Sequence, residues 1–80
     1  MRVYGHEDKL LEVSIMKEWE ILLGDYIMRN TQSILFSKGK LKVKLESSVI
    51  RNELAMNKTK IMEALNKQLK KNIIREIDIY

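Results

Sequence analysis

Lys38-Gly39-Lys40-Leu41-Lys42-Val43-Lys44-Leu45-Glu46-Ser47-Ser48 is the stretch that decides how this chain folds. Lys40, Lys42 and Lys44 alternate with Leu41, Val43 and Leu45. Period-two alternation is the signature of a strand with one buried and one solvated face. Lys38-Gly39 reads as the hairpin turn that opens the strand. Ser47-Ser48 reads as a helix start, because a serine hydroxyl can accept from an otherwise unpaired amide of the first turn. Upstream of this strand the sequence predicts a helix and the first arm of a hairpin. Downstream it predicts a helix and a return strand.

On the upstream side, Thr31, Ile34, Leu35 and Phe36 favour a strand over Thr31 to Ser37. Before it, Leu11, Ile15, Trp19, Leu22, Leu23, Tyr26 and Ile27 recur at three- and four-residue steps, which predicts an amphipathic helix from Lys9 to Arg29. Asp8 is a candidate cap, and Asn30 a candidate stop. Gly24 interrupts this helix and costs about 1 kcal/mol against alanine there. It marks either a close approach of another element or a helix end. Residues 1–7, with the sole histidine His6, read as a frayed lead-in.

On the downstream side, Ile50, Leu54, Ile61, Leu65 and Leu69 form the buried stripe of a helix, with Met56 and Met62 at its flanks. Asn57-Lys58-Thr59-Lys60 interrupts that stripe, as a bend between two shorter helices would. Lys67, Lys70 and Lys71 suit the negative end of the helix dipole, and Asn72 is the expected end. Ile73 to Tyr80 reads as the last strand, with Ile73, Ile77 and Ile79 on one face and Ile74, Glu76, Asp78 and Tyr80 on the other. The order helix-strand-strand-helix-strand defines an α+β domain, one three-stranded sheet with helices on one face.

Eighty residues make one small domain, 1–80, without repeats or an internal linker. There is no cysteine, which fits a reducing compartment and leads to the expectation of a cytoplasmic protein. Apolar runs are too short to span a membrane, and no signal-peptide pattern opens the chain. Residues 1–37 hold four basic and six acidic side chains, residues 38–80 eleven basic and five acidic, so the net charge of +4 is concentrated in the C-terminal half. Such an asymmetry points to a polyanionic partner.

Catalytic and cofactor chemistry finds no support. His6 lacks evident orienting partners. Ser47 and Ser48 lack a second histidine or a nucleophile elbow and read as caps. The acidic residues show no metal-ligand spacing, and three scattered glycines make no phosphate loop. No catalytic residue, metal or cofactor is therefore expected. Trp19 is a potential base-stacking platform, but its place between Ile15 and Leu22 assigns it to the core.

The lysines carry the functional reading. Lys38, Lys40, Lys42 and Lys44, about 6.5–7 Å apart along a strand, suit a phosphate backbone, and Arg51, Lys58 and Lys60 extend the patch from the helical side. Binding of this kind is salt-sensitive and largely sequence-independent. Against it, Glu76 and Asp78 would neutralise the stripe if the last strand lies beside it. Lysines also protect a strand against edge-to-edge aggregation, and the face lacks the interleaved aromatics of a sheet-surface RNA reader, Tyr80 and Tyr4 being the only options.

The ordered set Trp19-x4-Gly24, Thr31, Gly39-x-Leu41-x-Val43-x-Leu45-x-Ser47-Ser48, Arg51-Asn52-Glu53-Leu54, Leu65-Asn66 and Ile77-x-Ile79 resembles the DciA family of bacterial proteins that assist loading of the replicative helicase. The resemblance runs from about Leu10 to Tyr80, and the short form resembles members from the Bacteroides group. It implies a KH-like fold, a non-enzymatic role in DNA replication, binding to single- or double-stranded DNA and contact with the replicative helicase. A KH module clamps a nucleic-acid backbone with Gly-x-x-Gly between two helices. The equivalent place here is Met56-Asn57-Lys58-Thr59, which has no glycine. Two alternatives stay open beside DNA binding: a protein-interaction adaptor whose lysines only solubilise, and a KH-like RNA binder.

Overall fold

The computed structural model describes residues 4–80, with side chains from Lys9 onward. The elements are helix α1 (Tyr4–Leu23), helix α2 (Asp25–Arg29), strand β1 (Thr31–Ser37), strand β2 (Lys40–Leu45), helix α3 (Ser48–Met56), helix α4 (Lys58–Leu69) and strand β3 (Glu76–Ile79). This is the expected KH-like α+β arrangement, a three-stranded sheet with helices packed against it, each of the two helical segments being split once.

Both splits have local causes. Gly24 adopts φ +93°, a conformation that side chains resist, and nothing lies within 4 Å of where its Cβ would stand. The glycine therefore ends a helix rather than admitting a close neighbour. Asn57 separates α3 from α4, and its side-chain amide donates to the Glu53 carbonyl. At the other end of the chain α1 starts at Tyr4, so Asp8 lies inside the helix instead of capping it, and 4–7 are helical rather than a frayed lead-in. Residues 1–3 of that expected lead-in, and the side chains of Tyr4 and His6, lie outside the described residues.

The hairpin is as read. Lys38 and Gly39 both have positive φ, 52° and 82°, as a two-residue turn of the primed type requires. β1 and β2 pair antiparallel, with Ser37 opposite Lys40, Leu35 opposite Lys42 and Ser33 opposite Lys44. β2 is central, and β3 runs parallel to it on the far side. Leu41, Val43 and Leu45 point into the core, meeting Ile15, Trp19, Ile34, Phe36, Ile50, Leu54, Ile61, Leu65, Ile74 and Ile77. Trp19 is fully buried, which settles it as core; its indole N–H donates to the Thr31 hydroxyl at 3.1 Å, and that hydroxyl donates to the Ile27 carbonyl at 2.8 Å. This chain of bonds fixes α1, α2 and β1 to one another.

Ser47 caps α3 by accepting from the Ile50 amide. α4 stops earlier than expected, at Leu69, because Lys70 takes a left-handed conformation (φ 59°) as its C-cap. The last strand also begins later, at Glu76. Ahead of it, buried Asn66 donates to the Ile74 carbonyl at 2.9 Å and accepts from the Ile74 amide at 3.0 Å. One side chain thus satisfies the backbone groups that a neighbouring strand would otherwise pair. Ile74 consequently faces the core, not the outer face with Glu76, Asp78 and Tyr80.

Candidate nucleic-acid interface

The predicted site residues fall into three places. Lys40, Lys42 and Lys44 occupy the open face of the sheet, all exposed. Their register partners in β3 are acidic: Lys40 stands beside Glu76 and Lys42 beside Asp78. The Lys40 ammonium lies 3.9 Å from a Glu76 carboxylate oxygen, with both side chains largely in water, a pair worth at most about 1 kcal/mol. Its energetic weight is small, but its electrostatic effect is direct, since a carboxylate row flanks the lysine row. Lys44 escapes this pairing. It lies level with Ser33 on one side and, by the bonds of Tyr80 to Val43 and Leu45, with Tyr80 on the other.

Arg51 is not a free surface cation. It is half-buried, and its guanidinium donates to the Leu45 carbonyl at 3.3 Å, tying α3 to the end of β2. Lys58 and Lys60 are both exposed in the first turn of α4, where there is no acidic residue and no side-chain cap. Two residues apart on a helix, they point in different directions, so they do not act as one pair.

The third place, at the hairpin tip, joins Lys38 to a residue the sequence reading missed. Arg75 precedes β3, and its amide donates to the Gly39 carbonyl at 2.8 Å. Its aliphatic stem lies over Gly39, where an added Cβ would come within 3.3 Å of Arg75 Cδ. Arg75 lines two concavities. One, of about 460 Å³, is shared with Lys38, Gly39, Asn72, Leu11, Phe36 and Ile73. The other, of about 170 Å³, is shared with Lys58, Thr59, Met62, Glu76 and Ile77. The hairpin tip, the lead into β3 and the start of α4 therefore bring Lys38, Arg75 and Lys58 around one end of the sheet. None of the three forms an ion pair among the described residues. The one clue in the sequence was Gly39, whose lack of a side chain serves the Arg75 stem as well as the turn.

No group of acidic or histidine side chains suited to a metal ion occurs among the described residues, and no helix there is long and apolar enough to cross a membrane. Ser47 is occupied as a cap.

The sequence model of the family described as Dna[CI] antecedent, DciA, matches residues 4–79. That is nearly the whole chain, and the protein belongs to the DciA family. No curated protein and no solved structure matches it.

Proposed function

We propose that the protein is a non-enzymatic module of bacterial DNA replication that binds DNA and works beside the replicative helicase, in the cytoplasm. Family membership supports the helicase-loading role. The observation that carries the DNA contact is the convergence of Lys38, Arg75 and Lys58, three cations from three segments, on one end of the sheet. Lys60, two residues from Lys58, is an outlying contact of this cluster, whereas Lys44 lies at the opposite end of β2, level with Tyr80, and stands apart from it. Lys40 and Lys42 contribute less, because Glu76 and Asp78 stand beside them. Arg51 contributes through its structural bond rather than through phosphate.

Phosphate contacts of this kind give weak binding whose logarithm falls with the logarithm of salt by about 0.7 per contact on a single strand. The test is titration of a fluorescein-labelled oligothymidylate at two salt concentrations. Three contacts predict a slope of roughly −2. Absence of binding at low salt overturns the reading.

The carboxylate row of β3 favours a second reading, in which the open face meets a protein and the lysines serve solubility. Replacing Arg75 and Lys58 together by Glu separates the two: the DNA reading predicts loss of oligothymidylate binding, whereas the protein-contact reading predicts that partner binding at the open face survives. Stronger binding of the matched oligouridylate would turn the assignment to RNA.

A further inference from the structure

The larger concavity beside Arg75 has a composition that phosphate binding does not explain. Its floor is apolar: Leu11 of α1, Phe36 of β1 and Ile73 before β3. Its rim carries Lys38, Arg75 and Asn72. A neighbouring concavity of about 340 Å³ shares Leu11 and Ile73 with it and adds Leu10 and Lys71. The two form one groove between α1 and the segment that leads from α4 into β3, with an apolar floor and cations at Lys71, Arg75 and Lys38. No carboxylate among the described residues lines either concavity. Glu12, adjacent to Leu11, instead accepts from the Phe36 amide at 3.0 Å.

We propose that this groove binds an extended acidic segment of a partner protein, in which apolar side chains alternate with carboxylates. An extended chain places alternate side chains on opposite sides. One set settles on Leu11, Phe36 and Ile73, while the flanking carboxylates meet Lys71, Arg75 and Lys38. Charge complementarity selects the acidic partner, and the apolar floor selects a peptide over a nucleic-acid backbone, whose polar sugar-phosphate repeat offers no bulky apolar group to bury there. A volume of several hundred Å³ is in the range that accommodates side chains of this size. The groove shares Lys38 and Arg75 with the DNA reading, but its apolar floor and Lys71 belong to it alone, and Lys58 with the smaller concavity belongs to the DNA reading alone.

The probe is the peptide acetyl-Glu-Leu-Glu-Phe-amide, titrated into the ¹⁵N-labelled full chain with its Gln-Leu-Gln-Phe counterpart and an oligothymidylate as comparators. The amide signals of Leu11, Phe36, Gly39 and Ile73 are expected to move with the acidic peptide, and about fivefold more weakly with the neutral one, as loss of charge-assisted hydrogen bonds implies. Asn72→Glu, on the exposed rim, should weaken the acidic peptide about fivefold or more with the remaining spectrum unchanged. Leu11→Gln should weaken both peptides and leave oligothymidylate binding intact. Equal response to acidic and neutral peptides, no response at millimolar peptide, or oligothymidylate moving these four signals while the peptides do not, each overturns the proposal. Lys58→Glu separates the readings, since it should weaken oligothymidylate binding severalfold and spare the peptide.

Discussion

Two basic regions of this molecule have similar charge and opposite surroundings. On the open sheet face, Lys40 and Lys42 lie in register with Glu76 and Asp78, so two of the three lysines of the row have a carboxylate on the neighbouring strand to offset their field. At the end of the sheet, Lys38, Arg75 and Lys58 come from the hairpin tip, the lead into β3 and the start of α4, and none forms an ion pair among the described residues, although Glu76 lines the smaller concavity beside Lys58 and Arg75. The row that is most conspicuous in sequence is therefore the weaker candidate for polyanions. Residues far apart in sequence make the stronger one. Counting lysines along a strand measures charge; only the neighbours across the sheet decide potential.

The sharpest way to break this comparison is charge reversal at each region in turn. Arg75→Glu with Lys58→Glu should lower oligothymidylate affinity by about twentyfold or more at moderate salt, and flatten the salt slope by roughly 1.4, two contacts' worth. Lys40→Glu with Lys42→Glu should cost only about threefold, through the general field. Fluorescence anisotropy over a salt series reads both. If the strand pair proves the more damaging, the ranking of the two regions is wrong.

Gly39→Ala attacks the geometry that holds Arg75 in place. The site has φ +82° and only 3.3 Å to the Arg75 stem, so the methyl group meets backbone strain and a tight contact that moves the arginine stem by a few tenths of an ångström. A loss of about 1–2 kcal/mol in unfolding free energy is expected from urea melts. DNA affinity should fall slightly as well, by about twofold or less, since the stem of Arg75, which lines the concavities of both Lys38 and Lys58, shifts. Gly24→Ala is the control: it meets strain at φ +93° but no neighbour, so it should cost stability without touching DNA affinity.

The fold was legible wherever the signal was local. The alternation at Lys40–Leu45 named its buried face, Ser47 announced α3, and Trp19 took the core place its spacing gave it. The reading failed where a distant partner decided the outcome. Asn66, eight residues earlier, holds Ile74 and delays β3. Arg51 looked like a surface cation until the Leu45 carbonyl was placed beside it. The candidate site was legible only in part for the same reason. Lys38 and Lys58 were named from sequence, but Arg75 becomes their neighbour through a crossover that spans α3 and α4, and no spacing rule encodes that. Register between parallel strands is likewise a tertiary outcome, so the pairing of Lys40 with Glu76 had to be seen.

The smallest expected effect is also the most diagnostic, because it removes charge from β3 and leaves every lysine in place. If Glu76 and Asp78 silence the sheet face, Glu76→Gln with Asp78→Asn should raise oligothymidylate affinity about two- to threefold and steepen the salt slope by roughly 0.7 for each lysine released. Stability should change by no more than about 0.5 kcal/mol, since the one ion pair involved is long and exposed. Gln and Asn keep the shape of the replaced side chains, so a gain in affinity reports charge, and Asp78→Asn alone, away from the concavity that Glu76 shares with Lys58 and Arg75, assigns it to the sheet face. Unchanged affinity with an unchanged slope would mean that the face is poorly shaped for nucleic acid, whatever its potential, and the open sheet would then be left to a protein partner.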